Sequence, residues 1–395
     1  MGRTFRVVGI LLLAACFHFL LPPRAPAAPC AAPPFVDVAG ESLPVFVDDM
    51  AYDSLAVAID ASVRGLARLP KERKFTVCGE EYPVSWLRES LLSFKKIIQD
   101  KPGAERLGRI LREQFIICRA AGRQTDNRLL LTGYFEPLFR GSLQKTSIYR
   151  HPLYRVPADL IRLPTVKGQS APTGRMENGV LLPYWTRAQI EKDGLLAGNE
   201  LLYLDDPVDA FVLHVQGSGQ VQLPDGTVRR VQFAAGNGHE YRSIGKFMAE
   251  KGVLRLEEVT LPRIVRYLKA HPEEREAILH HNDSFVFFRW GDTAATGPLG
   301  SLGEPLTAGR SVALDQSCFP AGGLAFLTTR KPRVNEQGRI VGWEPMARFV
   351  LNQDSGSAIK GPGRLDLYWG AGLYAEVAAG HMKQPGSLYF LVRKR

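Results

Sequence analysis

The spacing of apolar residues changes along the chain, from a helical period near the N-terminus to short runs separated by turns. Three early segments place apolar residues every three or four positions, which predicts amphipathic helices that pack by one face. These apolar residues are Leu55, Ile59, Val63 and Leu66, then Leu87, Leu91, Phe94 and Ile98, and then Leu107, Leu111 and Phe115. Asp53 or Ser54 is expected to cap the first helix, and Pro70 to stop it.

From about residue 129 the apolar runs are short and bounded by glycine and proline, a pattern typical of strands. Helices are expected there only at residues 242–250, at 261–270 and after a cap at Thr186. The expected strands are 129–137, which ends at Pro137, and 210–215, 220–223, 228–233, 284–288, 311–314, 324–329, 346–351 and 388–392. The predicted fold class is therefore mainly β with N-terminal helices, that is, α+β.

The first 27 residues predict an export signal, because Arg3 and Arg6 precede an apolar run at 7–21. Two cleavage sites compete. Residues 13–16 have the pattern of a lipoprotein signal over 1–15, in which Cys16 would be lipidated, whereas Ala-Pro-Ala at 25–27 would release a soluble protein. The apolar residues after Cys16 favour the soluble form, and an uncut signal anchor is the third interpretation. The Ala- and Pro-rich residues 28–48 predict a linker.

The chain of 395 residues has a net charge of +10, and its length predicts two domains. A basic surface favours polyanions such as nucleic acid, anionic lipid or an acidic wall polymer. The positive residues are spread along the chain, without zinc-finger spacing or a basic and aromatic RNA-binding signature. We therefore expect no nucleic-acid partner, and a solvated basic surface is the simplest interpretation.

Cys30, Cys78, Cys118 and Cys318 remain after either cleavage. Because an exported protein meets an oxidising compartment, one or two disulfides are allowed, although the sequence does not determine their pairing. Free buried cysteines are an equal alternative. The absence of a C-x-x-C pair gives no support for metal or redox chemistry.

Three aspartates are the strongest candidates for chemistry. Asp354 and Asp366 lie in the glycine-rich segment 353–372, and Asp315 follows a predicted strand and enters a Pro-Gly turn. Three strands that each deliver an aspartate near one end would bring them together at one rim of a barrel. Leu365 and Leu367 flank Asp366, and poor solvation would raise its pKa, as a general acid requires. The alternative is that these aspartates only cap turns.

Two other segments give weaker signals. Ser218 lies between glycines, but its surroundings do not fit a nucleophile elbow, so we expect Gln216 and Ser218 to bind a hydroxyl-rich ligand instead. His239, His280 and His281 lack the spacing of metal ligands and are expected to be structural. No metal or other cofactor is predicted.

Taken together, the motifs resemble the membrane-bound lytic murein transglycosylase A family, in the family's order and over roughly residues 85–395. They are Thr-Gly-Tyr-Phe-Glu-Pro at 132–137, Val-Gln-Gly-Ser-Gly at 215–219, Gly-Asn-Gly-His-Glu-Tyr-Arg-Ser-Ile-Gly-Lys at 236–246, Ser-Phe-Val-Phe-Phe at 284–288, Asp315 with Pro-Ala-Gly at 320–322, Asp-Ser-Gly-Ser-Ala-Ile-Lys-Gly at 354–361 and Asp-Leu-Tyr-Trp-Gly at 366–370. The resemblance implies a double-psi β-barrel catalytic domain with N-terminal helices, residues 49–137 plus 286–395. It also implies an inserted β-rich substrate-binding domain, residues 138–285, with a groove between the two.

The resemblance further implies cleavage of the β-1,4 bond between N-acetylmuramic acid and N-acetylglucosamine in peptidoglycan, without water, to leave a 1,6-anhydro ring. Asp366 matches the family's single acid and base, and Asp354 and Asp315 match the other two aspartates, which we expect to orient Asp366 and stabilise positive charge at the anomeric carbon. Lys360 and the residues already singled out complete the candidate set for sugar binding, which is Thr132, Tyr134, Gln216, Ser218 and Lys360.

The expected partners are peptidoglycan glycan strands, with proteins of the wall machinery as further candidates, and the expected state is a monomer. The expected location is the periplasm of a Gram-negative bacterium, with the protein either soluble or anchored to the outer membrane through Cys16. The chain departs from the family by Gly356-Ser357, where Gly-Gly is common, by its cysteines and by its ambiguous signal. Two alternatives stay open, a wall-binding module without cleavage and a hydrolase that uses two of the three aspartates.

Overall fold

The computed structural model describes residues 30, 33–38, 43–123, 125–163, 172–292 and 296–395. The expected export signal, both cleavage sites and Cys16 lie outside these residues. Within this part of the chain, none of the helices is both long enough and apolar enough to cross a bilayer.

The N-terminal region contains the three predicted helices, which pack against strands. Its elements are β1 (Phe35–Asp37), α1 (Leu55–Ala67), β2 (Lys74–Val77), β3 (Glu80–Pro83), α2 (Val84–Gln99), α3 (Ala104–Gln114), β4 (Phe115–Ala120) and β5 (Leu129–Glu136). All three helices bury the apolar faces that their sequences predict, and β5 ends before Pro137 as expected. Phe115 differs from expectation, because it starts β4 instead of continuing the third helix.

The middle region contains a six-stranded sheet and several helices. Its elements are β6 (Leu138–Ser142), β7 (His151–Tyr154), β8 (Ile161–Arg162), β9 (Thr173–Glu177), β10 (Val180–Pro183), α4 (Arg187–Asp193), β11 (Glu200–Leu204), α5 (Pro207–Gln216), β12 (Ser218–Gln222), β13 (Val228–Gly236), α6 (Ile244–Glu250), a 3-10 turn (Leu256–Glu258), α7 (Leu261–Ala270), α8 (Pro272–His280) and β14 (Val286–Trp290). The large sheet has the order β14-β13-β12-β6-β11-β7, and β10-β9-β8 form a small sheet. Thr186 caps α4 as predicted, in a capping box with Gln189.

The C-terminal region completes a closed barrel. Its elements are β15 (Ser311–Ala313), β16 (Leu324–Val334), β17 (Ile340–Asp354), β18 (Arg364–Ala371), α9 (Leu373–His381) and β19 (Gln384–Arg393). Six strands form a ring in the order β5-β18-β15-β17-β16-β19, and β19 also pairs with β5 to close it. The six-stranded barrel and the separate inserted sheet confirm the predicted fold class. Helix α9 was not predicted.

The predicted strand at 210–215 is wrong, because these residues lie in helix α5. The side chain of Asp206 accepts the Val208 N–H at 2.7 Å, Pro207 occupies the first turn, and Gly217 ends the helix with φ of 76°. These are helix start and stop signals. The helix is apolar on two sides, since Leu213 packs on the six-stranded sheet and Phe211 packs in a separate cluster with α6, α7 and α8. A short run that is apolar all round looks the same in a buried strand.

The linker predicted at 28–48 is also wrong for the residues that the structure describes there. Strand β1 pairs with β4, and Cys30 forms a disulfide with Cys318. Asp48 forms a buried ion pair with Arg310, in which Asp48 Oδ2 lies 2.6 Å from Nη1. The segment is therefore fastened to the barrel by a strand, a covalent bond and a charge pair. The second disulfide joins Cys78 to Cys118, so the alternative of free cysteines is wrong as well.

The longer disulfide loop gives a stability prediction. The Cys30–Cys318 bond spans 288 residues and the Cys78–Cys118 bond spans 40. A cross-link that closes a longer loop removes more entropy from the unfolded chain. Replacing Cys30 and Cys318 by serine should therefore lower the free energy of unfolding by about 2–5 kcal/mol, and replacing the other pair should cost less. Urea denaturation of the oxidised proteins measures both, and the reverse order would contradict the prediction.

Candidate active site

Two of the three candidate aspartates lie on one row of residues that crosses four strands of the barrel. Asp354 on β17 pairs with Ala313 on β15, Ala313 pairs with Asp366 on β18, and Asp366 pairs with Thr132 on β5. Residues opposite one another in a sheet point to the same face. Ala313, with its small side chain, therefore lies between the two aspartates on this row.

Asp366 is the more weakly bonded of the two carboxyl groups. Its Oδ1 accepts a hydrogen bond from Thr132 Oγ1 at 2.7 Å, and Arg364 Nη2 donates to the same hydroxyl at 3.2 Å. Among the described residues, none donates to Asp366 Oδ2. Burial is the main reason that the pKa of Asp366 rises to about 6, and the charge of Asp354 adds to this rise, while Thr132 and Arg364 oppose it.

Asp354 is held on both oxygens. Tyr134 OH donates to Oδ2 at 2.8 Å, and the Ser301 N–H donates to Oδ1 at 2.9 Å. The pKa of Asp354 still lies above its ordinary value, because burial outweighs these bonds and a further one from the Ser355 N–H. Burial and the Asp354 charge also raise the pKa of the Tyr134 phenol far above its usual value, so this hydroxyl keeps its proton and remains a donor.

Asp315 has a different environment. Its Oδ1 accepts from Ser317 N at 3.0 Å and Ser317 Oγ at 2.7 Å, and its Oδ2 accepts from Gly361 N at 2.7 Å. Burial tends to raise the pKa of Asp315, but these bonds and the nearby charge of Lys360 outweigh it, so the pKa is lowered. This ionised carboxylate ties the turn after β15 to the loop that carries exposed Lys360. It makes no hydrogen bond to either of the other two aspartates.

One face of β5 connects these groups. Thr132, Tyr134 and Glu136 alternate along the strand, so their side chains point to the same side. The first binds Asp366, the second binds Asp354, and the third is buried against Arg230 and Gln220 of the inserted sheet. Sequence reasoning missed Glu136 and Arg364. The period of two along β5 and β18 was the available signal, because each lies two residues from a residue already singled out.

In the described part of the chain, no hydrogen bond joins Gln216 or Ser218 to the three aspartates. Gln216 Oε1 accepts the Phe135 N–H of β5 at 3.2 Å, and Ser218 begins β12 opposite Gln232. Gly217 lies between a helix and a strand, which is the reverse of the strand-to-helix order of a nucleophile elbow. His239 Nε2 bonds the Tyr184 carbonyl at 2.7 Å, consistent with the structural role expected for it.

The opposite pKa shifts of Asp366 and Asp315 predict opposite effects on stability. The raised pKa of Asp366 means that ionising it destabilises the fold as pH rises from the unfolded value near 4 to about 6. Asp366→Asn should therefore raise the free energy of unfolding at pH 7 by about 1–3 kcal/mol, and this gain should disappear below pH 4.

Asp315→Asn is the matched control, because the lowered pKa of Asp315 stabilises the fold above the unfolded pKa and should make this variant less stable at pH 7. Chemical denaturation at pH 7 and pH 4 measures both variants. A loss of stability in Asp366→Asn at pH 7 would show that Asp366 is not destabilised by burial.

Two family models match this chain. Residues 130–289 match the model described as "MltA specific insert domain", and residues 310–392 match the "3D domain". The membrane-bound lytic murein transglycosylase A of Vibrio cholerae is 33% identical over 273 residues, which cover 68% of this chain and 67% of that protein.

Two solved structures have a similar fold. A membrane-bound lytic murein transglycosylase from Agrobacterium tumefaciens is 25% identical with a TM-score of 0.72, and the match covers 91% of this chain and 97% of that one. Escherichia coli MltA with bound chitohexaose has a TM-score of 0.70 at 24% identity, over 93% of this chain and 96% of that one, which is evidence for the fold alone. From the family-model matches and the identity to the V. cholerae protein, this chain belongs to the membrane-bound lytic murein transglycosylase A family.

Proposed function

We propose that Asp366 alone serves as acid and base in the cleavage of the β-1,4 bond between N-acetylmuramic acid and N-acetylglucosamine, and that the product carries a 1,6-anhydro ring. As a member of its family the chain is a lytic transglycosylase, an enzyme that acts on peptidoglycan. The observation that carries the assignment is the difference between the two paired carboxyl groups. Asp366 has a raised pKa and a free oxygen, whereas both oxygens of Asp354 accept hydrogen bonds.

The reaction needs two proton transfers, and Asp366 takes part in both. Protonated Asp366 donates through Oδ2 to the glycosidic oxygen, and the bond from this oxygen to C1 of the muramic acid breaks. The resulting carboxylate takes the proton of the muramic acid C6 hydroxyl, whose oxygen attacks C1 and closes the anhydro ring. No water is consumed, and Asp366 ends in its starting protonation state.

Asp354 serves as a fixed negative charge in this proposal. Tyr134 and the Ser301 N–H hold its two oxygens, so the carboxylate cannot turn towards a sugar carbon without losing both bonds. A charge held in place in this way stabilises the positive charge that develops at C1. A two-carboxylate hydrolase would use a second carboxyl group as nucleophile or base. Hydrogen bonds already hold both oxygens of Asp354 and both oxygens of Asp315, which favours a fixed charge over that role.

A wall-binding module without cleavage is the other alternative. A raised pKa adds nothing to binding of a neutral sugar, whereas general acid catalysis depends on it. The V. cholerae relative is by name a lytic murein transglycosylase, which supports glycan strands as the ligand class. We extend this to the groove residues, with Thr132 and Tyr134 beside the two acids and Gln216, Ser218 and Lys360 further along.

Location and domain organisation are part of the same proposal. The relatives are membrane-bound by name, and we propose export to the periplasm with Cys16 as the anchor or, after cleavage at 25–27, a soluble form. We also propose residues 49–137 plus 286–395 as the catalytic domain and 138–285 as the substrate-binding domain. The end of β5 at Glu136 supports the first bound. Strand β14 pairs with β13 in the inserted sheet, which favours an insert that extends to Trp290 instead of ending at 285.

The products test the reaction. Purified sacculi treated with the wild-type protein should release muropeptides that are one water lighter than reducing-end species, and Asp366→Asn should release none, because it has no proton to donate. Mass spectrometry distinguishes the two products. Reducing-end products would indicate hydrolysis, and binding to sacculi without release would indicate a wall-binding module.

The Thr132 hydroxyl gives a prediction about pH. Its hydrogen bond lowers the pKa of Asp366, so Thr132→Val should raise that pKa. The loss of kcat/KM at high pH, where the acid is deprotonated, should then move upward by about one pH unit, which corresponds to one neutral hydrogen bond. Thr132→Ser keeps the hydroxyl and should leave the profile unchanged. A downward shift in Thr132→Val would contradict the role of Asp366 as the acid.

A further inference from the structure

Glu136 is a buried charge that the proposed reaction does not use. It is 3% exposed and is the last residue of β5, immediately before the chain leaves the barrel at Pro137. Both of its oxygens are bonded to the inserted sheet. Arg230 Nε bonds Oε1, Arg230 Nη2 donates to Oε2 at 3.2 Å, and Gln220 Nε2 donates to Oε2 at 3.0 Å.

These bonds hold two neighbouring strands of the inserted sheet to the barrel. Gln220 on β12 is directly opposite Arg230 on β13, so the Glu136 carboxylate lies across the pair. Arg230 is 14% exposed. An ion pair removed from water is stable only in good geometry, and loss of one partner leaves the other charge buried without compensation. The pair therefore specifies one position of the inserted sheet on β5 more strictly than apolar contacts would.

Two further contacts restrain the same junction. Gln216, the last residue of α5, accepts the Phe135 N–H. Gly219 on β12 approaches Pro137 so closely that a Cβ at this position would lie 3.1 Å from the Pro137 carbonyl oxygen. The inserted domain thus contacts the barrel within three residues of Tyr134, whose hydroxyl donates a hydrogen bond to Asp354.

The junction also lies next to the carboxyl pair. The negative charge of Glu136 helps to raise the pKa of Tyr368, after burial as the main cause, so the two side chains are close. The Tyr368 ring lies 5.3 Å from that of Tyr134, centre to centre. A displacement of the inserted sheet would therefore change the surroundings of the two aspartates. Thr132 and Tyr134 would still hydrogen-bond Asp366 and Asp354 from within the barrel.

We propose that Glu136 is a positioning residue that sets the register of the glycan strand. In this proposal its bonds to Arg230 and Gln220 fix the inserted sheet, and so the distance between the sugar-binding surface of the insert and Asp366. The chemical step depends on groups inside the barrel, so weakening the junction should affect binding and the choice of bond more than turnover. The proposal rests on the proposed function.

The test uses Glu136→Gln, which keeps the shape of the side chain and removes its charge. With the wild-type protein and a defined peptidoglycan glycan oligomer, we expect one predominant cleavage position. With Glu136→Gln we expect KM to rise about tenfold, kcat to stay within about twofold and the cleavage positions to spread, because about 1.4 kcal/mol of positioning energy would be lost. The high-pH limb of kcat/KM should not move.

Glu191→Gln is the matched control, because Glu191 also pairs with a buried arginine, Arg187, but entirely within the insert. It should reduce stability without changing KM or the cleavage positions. The double variant Glu136→Gln with Arg230→Gln removes both charges, and its KM should lie between those of the wild type and Glu136→Gln. Equal behaviour of Glu136→Gln and Glu191→Gln in KM and product pattern would show that Glu136 is only structural.

If Glu136→Gln does not fold, Gln220→Leu tests the same proposal. It removes one hydrogen bond, from an uncharged donor to the same carboxylate, and leaves the ion pair intact. We expect a smaller effect of the same kind, a rise in KM of about threefold with a broader product pattern. An unchanged KM and product pattern in a folded Gln220→Leu would overturn the proposal. Failure of the proposed function is separate, since it would appear as products without the anhydro ring in the wild type.

Discussion

The alternation of side chains along β5 is the constraint on which the site depends. A strand presents every second residue on one face, and here that face carries Thr132, Tyr134 and Glu136. Each binds a different part of the molecule, namely Asp366, Asp354 and the inserted sheet. This requires the parallel pairing of β5 with β18, which places Thr132 directly opposite Asp366. Closure of the barrel by β19 fixes β5 in that place.

Asp366 and Asp354 lie on the same row of residues, but their carboxyl groups have different hydrogen-bond partners. Burial raises the pKa of both Asp366 and Asp354, but only Asp354 has donors on each oxygen. Asp366 is bonded on one oxygen, through a hydroxyl that Arg364 also contacts. The pKa near 6 is thus a balance, in which burial and a neighbouring carboxylate outweigh a hydroxyl and a guanidinium. The pKa of Asp315 is lowered instead, because the Ser317 hydroxyl and two backbone N–H groups outweigh its burial.

An N-terminal segment that is far from the barrel strands in sequence is bonded to the barrel. Asp48 and Arg310 are both fully buried and form two hydrogen bonds with each other, and Asp48 also accepts the Phe349 N–H. Because Arg310 directly precedes β15 and Phe349 lies in β17, this one carboxylate holds two barrel strands. Together with the Cys30–Cys318 bond, this ion pair makes the described N-terminal segment part of the barrel domain instead of a linker to it.

The sequence by itself determined the elements with a clear period or a strong stop signal, and the residues whose chemistry is unusual for their surroundings. The helices α1 to α3, the end of β5 before Pro137 and the aspartates between leucines or glycines are of this kind. Only the tertiary structure decided which cysteines pair and that Glu136 meets Arg230, 94 residues away. The physical reason is that periodicity and capping act between near neighbours, whereas a pKa, a disulfide or a buried ion pair depends on partners that only the folded chain brings together.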